Sequence, residues 1–212
     1  MASLKITKQN KQFYIIKFDD QIRGILNLRI LRKLELVDNE LTEINPDLAE
    51  IVDQEIINTA WRKFTNWIAF SERSIAKSRQ YLLYIPLAQD ITEILINKAL
   101  EYNYLNDDRF TRLMIESLID KRKSPIEIKH KLREHQIPAQ MIDELLNELY
   151  DQETLNKIME NLVEQLYFRW EISDVNRREN KICEKLSRRG FDYHQVKEIF
   201  YRINNASKNN DQ

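Results

Sequence analysis

A self-repeat of about fifty residues constrains this chain more than any other feature. Lys131-Leu132, followed by Ile137, Ile142, Leu145 and Leu146, recurs as Lys185-Leu186, Phe191, Val196, Ile199 and Phe200. The offset is a constant 54 residues. An earlier copy, Arg73-Ser74 leading to Leu82, stands fifty residues before Lys123-Ser124 leading to Leu132 and fits with a one-residue gap before Ile91. Apolar residues within each copy recur at helical spacing, and the period leaves room for three helices per unit. A mainly α chain of about three tandem three-helix units is therefore predicted. Scarcity of turn formers agrees: 2 Gly and 4 Pro in 212 residues cannot supply the turns of a β-sandwich or the Gly cluster of a phosphate loop.

Helix punctuation sets the boundaries. In the middle unit Asp107 is expected to cap a helix carrying Phe110, Leu113, Met114 and Leu118. Ser124-Pro125-Ile126-Glu127 reads as a capping box with Pro at the first helical position, and Pro138 opens the next helix. In the last unit Gly190 after Arg188-Arg189 reads as a left-handed helix terminator, and Asp192, three residues before Gln195, caps the final helix. The head differs. Leu4, Ile6 and then Phe13 to Phe18 are rich in strand formers, which predicts a short hairpin. Asp19-Asp20 should then cap a helix with Ile22, Ile25, Leu26, Ile30 and Leu34 on one face. Asp38 to Asn45 reads as a polar connector, and Asn45-Pro46 restarts a helix. The expected organisation is a hairpin-plus-helix region at 1–55, three-helix units at 56–105, 106–152 and 153–203, and a frayed tail at 204–212.

Charge excludes more than it suggests. With 33 Lys+Arg against 34 Asp+Glu the formal charge is −1, so a nucleic-acid footprint must be local. No stretch approaches a membrane span, and the N-terminus lacks the apolar core of a secretory signal, so a cytoplasmic protein away from membranes is expected. One Cys excludes an intramolecular disulfide, and with 3 His it leaves no convincing metal set. His130, His135 and His194 sit among polar neighbours and read as solvent-facing; Cys183, on the face of Ile182 and Leu186, reads as a buried thiol. Asp107-Asp108 are adjacent on a helix start and should point apart rather than act as a catalytic pair. No enzymatic constellation emerges, and neither cofactor nor metal is expected.

Local basic clusters remain. The candidates are Lys121, Arg122, Lys123 and Lys129 in the middle unit and Arg177, Arg178, Lys181, Lys185, Arg188 and Arg189 in the last. Cations at a helix C-terminus complement the dipole, which explains Lys121 to Lys123 and Arg188-Arg189 without a partner. Arg177, Arg178 and Lys181 open a helix, where the dipole opposes them, so a binding role is expected of them first. Trp61, Trp67, Tyr167, Phe168, Trp170 and Tyr193 could stack bases, although aromatics at helical spacing more often serve the core.

Three of these segments, in order, resemble one family. Tyr104-Leu105-Asn106-Asp107-Asp108-Arg109-Phe110, continuing to Ser124-Pro125, Ile128, Leu132 and Ile137, is similar to the middle repeat of the bacterial RecX proteins. Lys185-Leu186-Ser187-Arg188-Arg189-Gly190-Phe191 resembles their C-terminal repeat, and Arg73-Ser74 their first. The chain departs from the family pattern at His135-Gln136, usually Lys-Gly, at Ser78, usually Leu, and at Thr111, usually Ala. The resemblance implies a non-enzymatic helical-repeat regulator of RecA, in recombination, DNA repair and the SOS response. It would bind the RecA filament on single-stranded DNA and depress ATP hydrolysis and strand exchange, with weak direct DNA contact, as a monomer. The alternative reading is an autonomous single-stranded DNA binder.

Overall fold

A computed structural model describes residues 2–36, 41–170 and 174–210. Contacts divide the chain into two compact units, Met1–Asp107 and Asp108–Gln212, each with its own apolar core.

The first unit opens on strands β1 (Ala2–Lys8), β2 (Phe13–Phe18) and β3 (Gln21–Asn27), a short helix α1 (Leu28–Lys33) and β4 (Leu41–Ile44). All pair antiparallel, in the order β3-β2-β1-β4. Two expectations are corrected here. Asp19 and Asp20 do not cap a helix: with φ of 47° and 61° they form the two-residue turn joining β2 to β3, and Asp19 Oδ1 accepts from the Ser3 N–H and hydroxyl. Ile25 and Leu26, placed on a helix face from the sequence, are buried neighbours in β3. A register shift at Ile16/Lys17 breaks the alternation that would have betrayed the strand. The expected connector at 38–45 contains β4; its residues 38–40 lie outside the described residues.

Helix α2 (Pro46–Ile68) packs across β3, followed by α3 (Ile75–Leu83) and α4 (Gln89–Glu101). Asn45 Oδ1 accepts from the Leu48 N–H, as the Asn-Pro start implied. Gly24 is where β3 touches α2: an added Cβ would lie 2.2 Å from Ile56 Cγ2. Arg23 ties the layers together, donating to Asp53 on α2 at 2.6 and 2.7 Å and to Asp90 on α4 at 2.7 Å.

The second unit holds α5 (Asp107–Asp120), α6 (Pro125–Glu134), α7 (Ala139–Leu149), α8 (Gln152–Arg169), α9 (Val175–Arg188) and α10 (Tyr193–Asn210). Every apolar residue of the 54-residue repeat lands in its core: Leu132, Ile137, Ile142, Leu145 and Leu146 are buried, and so are Leu186, Phe191, Val196, Ile199 and Phe200. The Ser124 capping box forms on both sides, and Asp192 accepts from the Gln195 N–H. Asp107, the first residue of α5 and the last of the first unit, accepts at Oδ1 from the Ile75 N–H at the start of α3, while Asp108 pairs with Arg112. The frayed tail at 204–212 is corrected up to residue 210. Helix α10 continues to Asn210, held where the Tyr167 hydroxyl donates to Oδ1 of the buried Asn204; residues 211–212 lie outside the described residues.

With Gly so scarce, other residues make left-handed helix ends. Glu35, Asn103, Arg122, Gln136 and Gly190 all take φ between 54° and 89°. Each closes its helix with the same pair of backbone bonds, for example Gln136 N–H to Arg133 and Ile137 N–H to Leu132. Gln136 and Gly190 are 54 residues apart, so the repeat conserves the terminator's backbone while changing its residue.

Candidate functional site

The basic candidates separate by what their charges already do. Lys123 pairs with Glu127 (2.8 Å), Lys129 with Asp143 (2.6 Å) and Arg188 with Glu184 (2.7 Å). Arg189 donates to the Arg122 carbonyl (2.5 Å) and to Glu127 (3.3 Å), while its own carbonyl accepts from the Ser124 hydroxyl. These bonds fasten the end of α9 to the start of α6. Glu127, drawn by Lys123, Ser124 and Arg189, stays below the usual carboxylate range although burial pushes it up. Behind it the Tyr150 hydroxyl donates to the Lys123 carbonyl, and burial pushes that hydroxyl up to about 12.

Arg177, Lys181, Lys185, Lys121 and Arg122 form no side-chain ion pair with any described residue, and all five are exposed. Three of them share α9 with Arg178. The spacing 178, 181, 185 places these side chains on one helical face. There they meet aromatics from the end of α8. The Arg178 guanidinium lies 4.7 Å from the Tyr167 ring, and Lys181 and Lys185 lie 4.5 and 5.0 Å from the Trp170 ring. Such contacts contribute about 0.5–1 kcal/mol each at exposed sites. Arg178 therefore differs from its sequence reading. It is half-buried on Tyr167, its Nε is shielded without a hydrogen-bond partner, and it serves the fold as well as the surface.

Among the other aromatics, Trp67 stacks on Tyr81 at 4.2 Å and Trp61 on Tyr104 at 5.9 Å, both half-buried at the core margin. Phe168 is 62% exposed and borders Tyr167 edge-on. His130 and His194 are exposed, but His135 is half-buried against the Phe110 ring. Cys183 is buried, and burial raises its thiol. Its neighbour Glu179 escaped sequence reasoning. This buried carboxylate accepts from the Tyr201 hydroxyl (2.5 Å) and pairs with Lys197 (2.9 Å), binding α9 to α10. A charged residue on an otherwise apolar face, next to Ile182 and Cys183, was the available signal.

Among the described residues no group of three or more His, Cys, Asp or Glu side chains could hold a metal ion, and no helix is long and apolar enough to cross a membrane. The site is a cationic, aromatic-backed helix face suited to an anionic surface.

Residues 106–146 match the family described as RecX, second three-helix domain. The regulatory protein RecX of Lactobacillus gasseri is 27% identical over 164 residues, 75% of this chain and 60% of that protein. That of Streptococcus sanguinis is 24% identical over 94% of this chain and 77% of its own length. A crystal structure of regulatory protein RecX superimposes with a TM-score of 0.65 at 21% identity, covering 94% of this chain and 98% of the other. The RecX of Lactobacillus salivarius gives 0.63 over 70% of this chain.

Proposed function

We propose that the chain, similar to regulatory RecX proteins, is a member of that family that binds the RecA filament on single-stranded DNA and depresses its ATPase and strand-exchange activities, as a cytoplasmic, non-enzymatic monomer. The observation that carries the reading is the α9 face, where Lys181 and Lys185 sit on Trp170 beside Arg177 and pair with no carboxylate among the described residues. A nucleoprotein filament is anionic along its length, and three-helix units at 56–105, 106–152 and 153–203 would repeat contacts along it. Lys121 and Arg122 extend the contact; Lys123, Lys129 and Arg189 are mainly committed within the fold, whereas Arg188 is held only by an exposed pair with Glu184.

The lysines on Trp170 also suit direct binding of single-stranded DNA, the second reading. Fluorescence anisotropy of the labelled chain separates the two. Titration with preformed RecA filament should saturate at far lower concentration than titration with the same naked oligonucleotide. Equal affinities would favour the DNA-binding reading.

A further inference from the structure

A second surface of the Asp108–Gln212 unit is left unexplained by that function. Between α6 and the end of α9 runs an open groove of about 510 Å³. Its floor is apolar, made by Leu118, Gly190 and Ile126, and Ile126 is 63% exposed although it is a β-branched hydrocarbon on a helix. Its rim is cationic: Lys123, Lys131, Arg188 and Arg189 line it, against Glu127 alone among the lining carboxylates. Glu127 is already shared by Lys123 and Arg189. Lys131 and Arg188 reach Glu134 and Glu184 outside the groove, but these are exposed pairs of the kind that contribute little and exchange readily. In the wall, the Ser187 hydroxyl oxygen is shielded from solvent and has no hydrogen-bond partner among the described residues. A polar atom so placed costs free energy until a partner reaches it.

We propose that this groove docks a segment of a partner protein in which acidic residues flank one large apolar side chain. The apolar side chain covers Ile126 and Leu118, and the flanking carboxylates meet Lys131 and Arg188. A nucleic-acid strand fits less well, since it offers phosphates to the rim but no apolar group to the floor. The inference rests on the reading that the chain works through a protein partner, yet it does not require that partner to be RecA.

The test uses short fluorescein-labelled peptides: one with Asp and Glu around a single Phe, one with that Phe replaced by Ala, and one with the acids replaced by Ser. Anisotropy with the full chain should show saturable binding of the acidic Phe peptide only. Burying the ring implies that the Ala peptide binds roughly ten-fold or more weakly. Ile126→Asp should cause a loss of similar size. An acidic residue in the first turn of α6 suits the helix dipole, so its circular-dichroism melt should match the parent. Lys131→Gln with Arg188→Gln should weaken binding and flatten its salt dependence, whereas Lys157→Gln on α8 should change nothing. Equal binding of the Phe and Ala peptides, indifference to Ile126→Asp, or displacement by oligothymidylate would overturn the docking site. Because no RecA is present, a negative result alongside intact RecA inhibition removes the groove and leaves the proposed function standing.

Discussion

Two glycines show how single residues fix this fold. Gly190 has φ +89°, and a Cβ there would lie 2.8 Å from Ile126 Cβ and 3.1 Å from the Ser124 hydroxyl. Gly190→Val is expected to destabilise the second unit by about 2–4 kcal/mol, backbone strain and crowding acting together. Chemical denaturation followed by circular dichroism measures it. Gln136 holds the equivalent position with φ +57° and carries the strain unrelieved. Gln136→Gly should raise stability by about 0.5–1 kcal/mol, the left-handed cost exceeding the extra chain entropy of Gly. Gly24 makes the converse case, being needed for space rather than for φ. Gly24→Ala should be strongly destabilising in the parent and add much less in an Ile56→Ala background, which lacks the Cγ2 in its way. A double-mutant cycle should give a coupling of about 1–3 kcal/mol.

Elements were legible where their signals are local. The Asn45, Ser124 and Asp192 caps, the Pro starts and the apolar stripes of α6, α7, α9 and α10 could all be read, and that of α5 apart from the exposed Leu113, because capping and 3.6-residue periodicity operate within a few positions. Strand β3 could not. Its Ile22, Ile25, Leu26 spacing fits a helix equally well, and only pairing with β2 through the Asp19-Asp20 turn decides. The α9 site was half legible: the cations are in the sequence, but which of them face carboxylates depends on partners up to 62 residues away, as for Arg189 and Glu127. Arg189→Ala is accordingly expected to cost about 1–3 kcal/mol, since Arg122 and Glu127 lose their donor, and Arg188→Ala within about ±0.5 kcal/mol. Between α9 and α10, burial pushes the Glu179 carboxyl up, but Tyr201 and Lys197 more than reverse this and hold it below its ordinary value of 4.5. Its folded value being depressed, the contribution is whole above that ordinary value and is lost as pH falls through the folded one. Tyr201→Phe should lower the melting temperature by several degrees at neutral pH, with the gap to the parent closing in acid. At the α9 surface, contact with ~3–4 phosphates implies a log–log salt slope near −2 to −3 for single-stranded DNA.

On the scale of the whole molecule, a formal charge of −1 sets the terms. Nothing global draws this chain to DNA, so affinity must come from a local face and from protein contact. The α9 lysines are proposed to provide the first, and the groove beside α6 the second. The chain alone should hydrolyse no ATP, because nothing in its sequence resembles a phosphate loop. The most direct test is the steady-state ATPase rate of RecA on single-stranded DNA, titrated with the chain and with its Lys181→Gln, Lys185→Gln variant. The parent should depress the rate to a plateau, and the variant, equally stable, should need several-fold more protein to do so. An ATPase rate unchanged by a large excess of the parent chain would contradict regulation of the filament.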